Sequence, residues 1–221
     1  MEAQRQRMVE EQLRAGGIAD ERVLDAMGEV PREEFVPDEL RGEAYTDGAL
    51  PIGHGQTISQ PWVVAAICSA LELRGDERVL EVGSGSGYST AVIAELVKPR
   101  GRVRSYELVP ELAAEARRTL ARLGYAAAEV VAGDGGTQNG GRWDAIAVHA
   151  AAPVVPITLA STLRPGGRLV VPIDSGRSDV LSVFRRVDQG AGHGVELART
   201  EIAHCRFVPL LGDLGFHSAD R

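Results

Sequence analysis

Lysine is almost missing from this 221-residue chain: Lys98 is the only one, and every other basic side chain among the 24 is arginine. Schiff-base chemistry is therefore confined to Lys98. That residue stands in a Lys-Pro-Arg-Gly turn, a poor place to desolvate an amine. The arginine excess reads as compositional bias and not as a device for phosphate recognition. Cysteine is as scarce. Cys68 and Cys205 are too few for a disulfide framework and lack metal-ligand spacing, so no metal is expected. Positive charge is also in deficit. The formal net charge of −7 argues against nucleic acid as the main partner. Nowhere do the roughly 18 consecutive apolar residues of a membrane span occur. The opening Met1-Glu2-Ala3-Gln4-Arg5-Gln6-Arg7 carries mixed charge where a signal peptide would be apolar. These absences predict a cytoplasmic protein with no membrane partner.

What is present suits a single globular domain. The chain is 44% hydrophobic and 25% charged, and its 26 glycines are spread along its length, which disfavours both disorder and collagen-like repeats. Residues 1–60 read as short helices and loops without strands. Residues 2–15 carry a sparse apolar stripe (Met8, Val9, Leu13) stopped by Gly16-Gly17, and Asp20 can cap a second helix. Residues 44–60 are loop-like, broken by Asp47-Gly48, Pro51, Gly53 and Gly55. Pro61 then opens an apolar helix to Leu73.

From residue 78 strands and helices alternate. Strands are expected at Arg78–Val82, Val103–Glu107, Glu129–Ala132, Asp144–Val148 and Arg168–Ile173. Helices are expected at Tyr88–Val97, Pro110–Leu123 and Val154–Leu163. Val180–Val187 and Val195–Cys205 read as two strands across a glycine-rich turn, Gly190–Gly194, with Phe207–Leu211 as a further strand. This pattern predicts an α/β fold: a parallel sheet covered by helices on both faces, with an antiparallel C-terminal edge and a small N-terminal helical cap. Residues 1–60 are expected to form a substrate cap, and 61–221 the cofactor-binding core, of one domain.

Glu81-Val82-Gly83-Ser84-Gly85-Ser86-Gly87 joins the first of these strands to its helix, the position where α/β sheets bind ligands. The glycines permit close backbone approach. A P-loop would need Gly-Lys-Ser/Thr here and no lysine is present. The dinucleotide fingerprint would need glycine at position 88, where Tyr88 stands. The remaining pattern, acidic-x-Gly-x-Gly-x-Gly, resembles motif I of S-adenosylmethionine-dependent methyltransferases and implies their Rossmann-like class I sheet. Glu107, followed by Leu108, ends the next strand about twenty residues on, where a carboxylate can accept both hydrogen bonds of a ribose diol. Asp134, between Gly133 and Gly135 at the third strand end, can meet the adenine amino group; an Asx turn is the plainer alternative. The candidate cofactor residues are thus Glu81, Gly83, Ser84, Gly85, Gly87, Glu107, Leu108, Asp134 and Gly135.

The loop ahead of the core narrows the resemblance. Ala44-Tyr45-x-Asp47-x-x-Leu50-Pro51-Ile52-Gly53-x-Gly55-Gln56-Thr57-Ile58-Ser59-Gln60-Pro61 resembles the signature of the protein-L-isoaspartate (D-aspartate) O-methyltransferase family. The likeness extends through Val30–Pro37, Gly133–Gly135, Ala150–Pro153, Pro165–Val170 and Arg206–Leu210, over essentially the whole chain. The resemblance implies a repair carboxyl methyltransferase. It would transfer methyl from S-adenosylmethionine, leaving S-adenosylhomocysteine, to the carboxylate of L-isoaspartyl or D-aspartyl residues in aged proteins and peptides. By the same resemblance Gln56, Thr57, Ile58 and Ser59 border cofactor and substrate, and Ser59 carries the active-site hydroxyl. Ser59 could instead cap the helix that follows it. Trp62, His54 and His149 depart from the family pattern, which bears on substrate preference and not on the reaction. His149 is expected to line the pocket or support it, with general base as the alternative role.

The implied chemistry explains why no catalytic triad is visible. An aspartyl-type carboxylate has a pKa of about 4 and is already ionised at neutral pH. An anion attacking a sulfonium cation needs in-line positioning, which can supply roughly 7–11 kcal/mol, together with desolvation. Two other readings stay open. Homologues in peptide natural-product pathways esterify one aspartate of a precursor, and are expected to carry a C-terminal region beyond Phe207–Leu210. A non-catalytic S-adenosylmethionine-binding protein is the other; intact Ser59, Glu107 and Asp134 argue against it. A monomer is expected.

Overall fold

In a computed structural model, described for residues 1–137, 141–187 and 195–216, the chain opens with α1 (Glu2–Arg7). This helix widens into a π-helical stretch over Met8–Arg14. The second helix, α2 (Glu21–Glu29), is capped by Asp20, whose side chain accepts the Arg22 N–H at 3.0 Å. A hairpin of β1 (Leu50–Gly53) and β2 (Gln56–Ile58) precedes α3 (Pro61–Leu71). Alternation then brings β3 (Arg78–Val82), α4 (Tyr88–Leu96), β4 (Arg102–Glu107), α5 (Pro110–Arg122) and β5 (Ala128–Ala132). The chain continues with β6 (Trp143–Val148), α6 (Ile157–Ser161), β7 (Leu163–Asp174), β8 (Asp179–Val187) and β9 (Glu196–Cys205).

The seven strands from β3 onward form one sheet in the order β5-β4-β3-β6-β7-β8-β9. From β5 to β7 the pairing is parallel; β8 and β9 join antiparallel. The expected parallel sheet with an antiparallel edge is therefore present, although the predicted Gly190–Gly194 turn lies outside the described residues. The chain runs outward from β3 to β5 and then returns to build on the other side with β6. That reversal places a crevice at the carboxyl ends of β3 and β6, where loops leave in opposite directions.

Strand alternation sorts the core. Val79, Val103, Ala145, Ala147 and Val170 face one side, where α3, α4, α5 and the N-terminal helices supply Met8, Leu13, Leu24, Ile67, Ile93 and Leu112. Leu80, Val82, Tyr106, Ile146, Val148 and Leu169 face the other, packed by Leu159 and Ala160 of α6 and by Leu210 of the C-terminal tail. Helices cover both faces, but unevenly. The N-terminal helices share their cluster with α3 and α4, so residues 1–60 are packed into the main core.

Three elements differ from the sequence expectation, each for a local reason. Residues 50–58 form a hairpin instead of a loop, because Gly53, His54 and Gly55 all take positive φ (87°, 53° and 70°) and reverse the chain tightly. The helix expected over Val154–Leu163 is reduced to Ile157–Ser161, since a residue ahead of proline is pushed out of helical conformation and Val155 precedes Pro156. Leu163 instead starts β7, pairing with Trp143 before a register shift resumes at Arg168 opposite Ala145. The expected Phe207–Leu211 strand is reduced to two isolated bridges, Ala151 to Pro209 and Leu211 to Phe216, because proline has no N–H to extend a ladder.

Gly87, at the start of α4, has φ +94°, and a Cβ there would sit 3.2 Å from the Ala116 Cβ of α5. Gly87→Ala should therefore destabilise the fold by about 1–3 kcal/mol through left-handed backbone strain. Thermal unfolding of the variant checks this; an unchanged melting temperature would contradict it.

Candidate active site

The carboxyl ends of β3, β4, β5 and β6 open into one cleft, enclosing about 900 Å³ of empty space including its mouth. Backbone hydrogen bonds continue the sheet into its loops and hold them in register. Gly83 N–H reaches the Tyr106 carbonyl at 2.8 Å, Gly133 N–H the Glu107 carbonyl at 2.8 Å, and His149 N–H the Val82 carbonyl at 2.9 Å. On the floor, Gly83 and Gly85 take positive φ (91° and 52°), and the Gly87 N–H closes the turn on the Ser84 carbonyl at 2.8 Å. A Cβ on Gly85 would come within 3.2 Å of Ile52, from the β1–β2 hairpin above it. Ser84 Oγ is buried with no partner among the described residues.

Glu107 is 7% exposed and both its oxygens are engaged. One accepts the Gly85 N–H at 2.8 Å and the other the Val109 N–H at 3.0 Å. Each carboxylate oxygen has a second acceptor site, so the side chain retains capacity for two donors from a ligand. Asp134 forms the Asx turn, accepting the Gly136 N–H at 2.7 Å, and its other oxygen accepts the Asp213 N–H at 2.9 Å. The same carboxylate therefore ties down the C-terminal tail. A Cβ on Gly135 would meet Tyr106 and Val82 at 2.9 Å, so only glycine brings that backbone against the wall.

All the candidate residues except Glu81 and Gly87 line this cleft. Gly87 faces α5 instead. Glu81 is fully buried behind the glycine loop; it accepts the Thr90 hydroxyl at 2.5 Å and lies 3.1 Å from His149 Nε2. That second contact is a close approach without an aligned hydrogen bond. Burial alone would raise the Glu81 pKa, but His149, Ser105 and Ser89 together hold the carboxyl below its ordinary range. His149 lines the cleft and is committed to Glu81.

Gln56, Thr57, Ile58 and Ser59 form the upper wall, between β2 and α3. Gln60 occupies the cap position of α3 and no side chain caps its first turn, so the Ser59 hydroxyl is not used as a helix cap. Leu108, 45% exposed, contributes apolar surface beside Glu107. Sequence reasoning did not assign Val208–Leu211 to the site, yet this tail segment lines it, held by Leu210 N–H to the Ala151 carbonyl at 2.8 Å. No local periodicity marks it. Tyr106 and Val109 also line the cleft and could have been found as neighbours of Glu107.

Comparison with known proteins identifies the family. The family model for protein-L-isoaspartate(D-aspartate) O-methyltransferase matches residues 3–215. The chain belongs to this family. Similar relatives include protein-L-isoaspartate O-methyltransferase 1 of Rhodopseudomonas palustris (46% identical, covering 98% of this chain and 86% of that protein). The protein-L-isoaspartate O-methyltransferase of Methanopyrus kandleri is 45% identical over 98% of this chain and 95% of its own. A solved protein-L-isoaspartate O-methyltransferase superposes with TM-score 0.82 at 30% identity, covering 96% of this chain and 67% of that one. A Plasmodium falciparum chain solved with S-adenosyl-L-homocysteine shares the fold (TM-score 0.79, 24% identity, 92% and 96% covered). Among the described residues no group of three or more His, Cys, Asp or Glu is arranged to hold a metal ion, and no helix is long and apolar enough to cross a membrane.

Glu107 can be tested by ligand binding alone. Glu107→Ala should weaken S-adenosylhomocysteine by about 1.5–3 kcal/mol, the range for hydrogen bonds to a charged group. Calorimetry reads this directly, and unchanged affinity in a folded variant would remove Glu107 from the binding set.

Proposed function

We propose that this chain is a repair methyltransferase, acting on the free carboxylate of L-isoaspartyl residues in damaged proteins and peptides, with D-aspartyl residues as a second substrate class. The observation that carries the reading is the single cleft shared by the glycine loop, Glu107, Asp134 and the Gln56–Ser59 wall; membership of the family supports it. S-adenosylmethionine, when bound, supplies a methyl group activated by its positively charged sulfur.

The chain's own residues bind and orient. Gly83, Ser84 and Gly85 offer close backbone approach on the floor, Glu107 accepts a ribose diol, and Leu108, Asp134 and Gly135 border the adenine. Glu81 and Gly87 support the loop from behind. Gln56, Thr57, Ile58 and Ser59 stand between cofactor and peptide, with residues 1–60 as the substrate cap and 61–221 as the cofactor core. Ser59 orients the attacking carboxylate through its hydroxyl.

No proton has to be removed from such a nucleophile, whose pKa of about 4 leaves it ionised at neutral pH. Anion and cation lose charge as they approach, so water favours the separated ions and a dry, preset cleft favours reaction. His149, held by Glu81, serves the wall and not proton transfer. The enzyme is assigned to the cytoplasm, which the free cysteines Cys68 and Cys205 suit. It is assigned as a monomer.

Paired peptides test the substrate. Methyl-labelled cofactor should give base-labile label on an isoaspartyl peptide and essentially none on its normal-aspartyl twin. Equal labelling of both, or none on either by a chain that binds cofactor, would overturn the proposal.

A further inference from the structure

Arg32 lies between Pro31 and Phe35 in a short 3₁₀ turn, and its side chain is fully buried. Among the described residues no carboxylate pairs with it. Its Nε donates to the Ala44 carbonyl at 2.7 Å and its Nη2 to the Ser59 carbonyl at 2.8 Å. Its Nη1 is buried without a partner. The guanidinium carbon stands 4.9 Å from the centre of the Tyr88 ring, which Phe35 meets edge-on at 5.7 Å. Tyr88 is the first residue of α4 and lines the cofactor cleft.

A buried cation without a counter-ion is costly, and an apolar side chain of similar volume would fill the same space more cheaply. What arginine adds is a rigid fork of donors. Here the fork joins two carbonyls fifteen positions apart, one on each side of the β1–β2 hairpin. Its guanidinium carbon lies over the Tyr88 ring, so the base of the hairpin is tied to the start of α4. The Ser59 backbone is held from behind while the residue lines the cleft.

We propose that Arg32 is a positioning residue of this active site, fixing Ser59 against the cofactor cleft so that it acts on methyl transfer and not on cofactor affinity. The inference rests on the reading that Ser59 orients the substrate carboxylate. A lysine at 32 keeps the charge and most of the reach but loses the fork, so it separates position from charge. A glutamine keeps one donor without a buried charge.

The experiment compares Arg32→Lys and Arg32→Gln with the parent chain, each alone and combined with Ser59→Ala. S-adenosylhomocysteine affinity by calorimetry, single-turnover methylation of an isoaspartyl peptide, and amide hydrogen exchange are measured on all. In whichever single variant folds, cofactor affinity should be unchanged while the single-turnover rate falls roughly 10- to 100-fold, as expected for a displaced orienting group. Exchange should quicken at Thr57–Ser59 and stay as in the parent at Val79–Val82. In the Ser59→Ala background the Arg32 substitution should cost little more. A full parental rate, an equal loss with and without Ser59, or quickened exchange across the whole sheet would overturn the proposal, as would failure of both single variants to fold. If the parent chain methylates no isoaspartyl peptide, the functional reading fails instead, and exchange at Thr57–Ser59 still reports whether Arg32 holds the loop.

Discussion

Both oxygens of Glu107 accept backbone N–H groups, from Gly85 at 2.8 Å and Val109 at 3.0 Å, and the cleft is organised around that carboxylate. The Gly85 bond joins the loop after β3 to the end of β4 across the sheet, and the Val109 bond closes the turn that follows Glu107. They satisfy a nearly buried charge with charge-assisted hydrogen bonds, which are shorter and stronger than neutral ones. Gly85 can reach Glu107 only because the loop reverses through residues with positive φ, and it leaves room above for Ile52. The sheet, the glycine loop and the hairpin that roofs it are therefore one mechanical unit.

Behind the wall stands a second buried acid, Glu81, with Thr90 and His149. Its pKa is held below the ordinary carboxylate range, so its contribution to stability is present above the pKa of the unfolded chain. That contribution is lost only as pH falls through the folded value. Across the neutral range Glu81 keeps its charge. This suits a reaction in which the substrate brings its own ionised nucleophile and the protein supplies geometry.

The central sheet was legible because β3 to β6 are short apolar runs, with the apolar α4 and the amphipathic α5 between the first three, and period and turn chemistry agree there. Glu107 and Asp134 were legible from their positions at strand ends. The β1–β2 hairpin was not, because Pro51 and three turn residues hide strands of only three and four residues. The part played by Val208–Leu211 in the site was hidden for another reason. It is held by two backbone bonds to Ala151, and the residues just after it by the Asp213 N–H to Asp134; such isolated long-range bonds leave no periodic trace. Glu81 and Gly87 show the limit of motif reading. Both belong to the glycine-loop pattern, yet one sits beneath the loop and the other packs against α5. Arg32 carried no sign in sequence of being a fully buried cation; only folding brings Ala44, Ser59 and Tyr88 to its fork.

The central claim is catalysis by placement of an already ionised carboxylate, without a protein general base. The pH dependence of kcat/KM with an isoaspartyl peptide, in the parent chain and in His149→Asn, tests it most directly. The account predicts a profile without an ascending limb between about pH 6 and 8 in both. An ascending limb near the unperturbed histidine pKa of about 6.5, present in the parent and abolished in His149→Asn, would contradict it and make His149 the base.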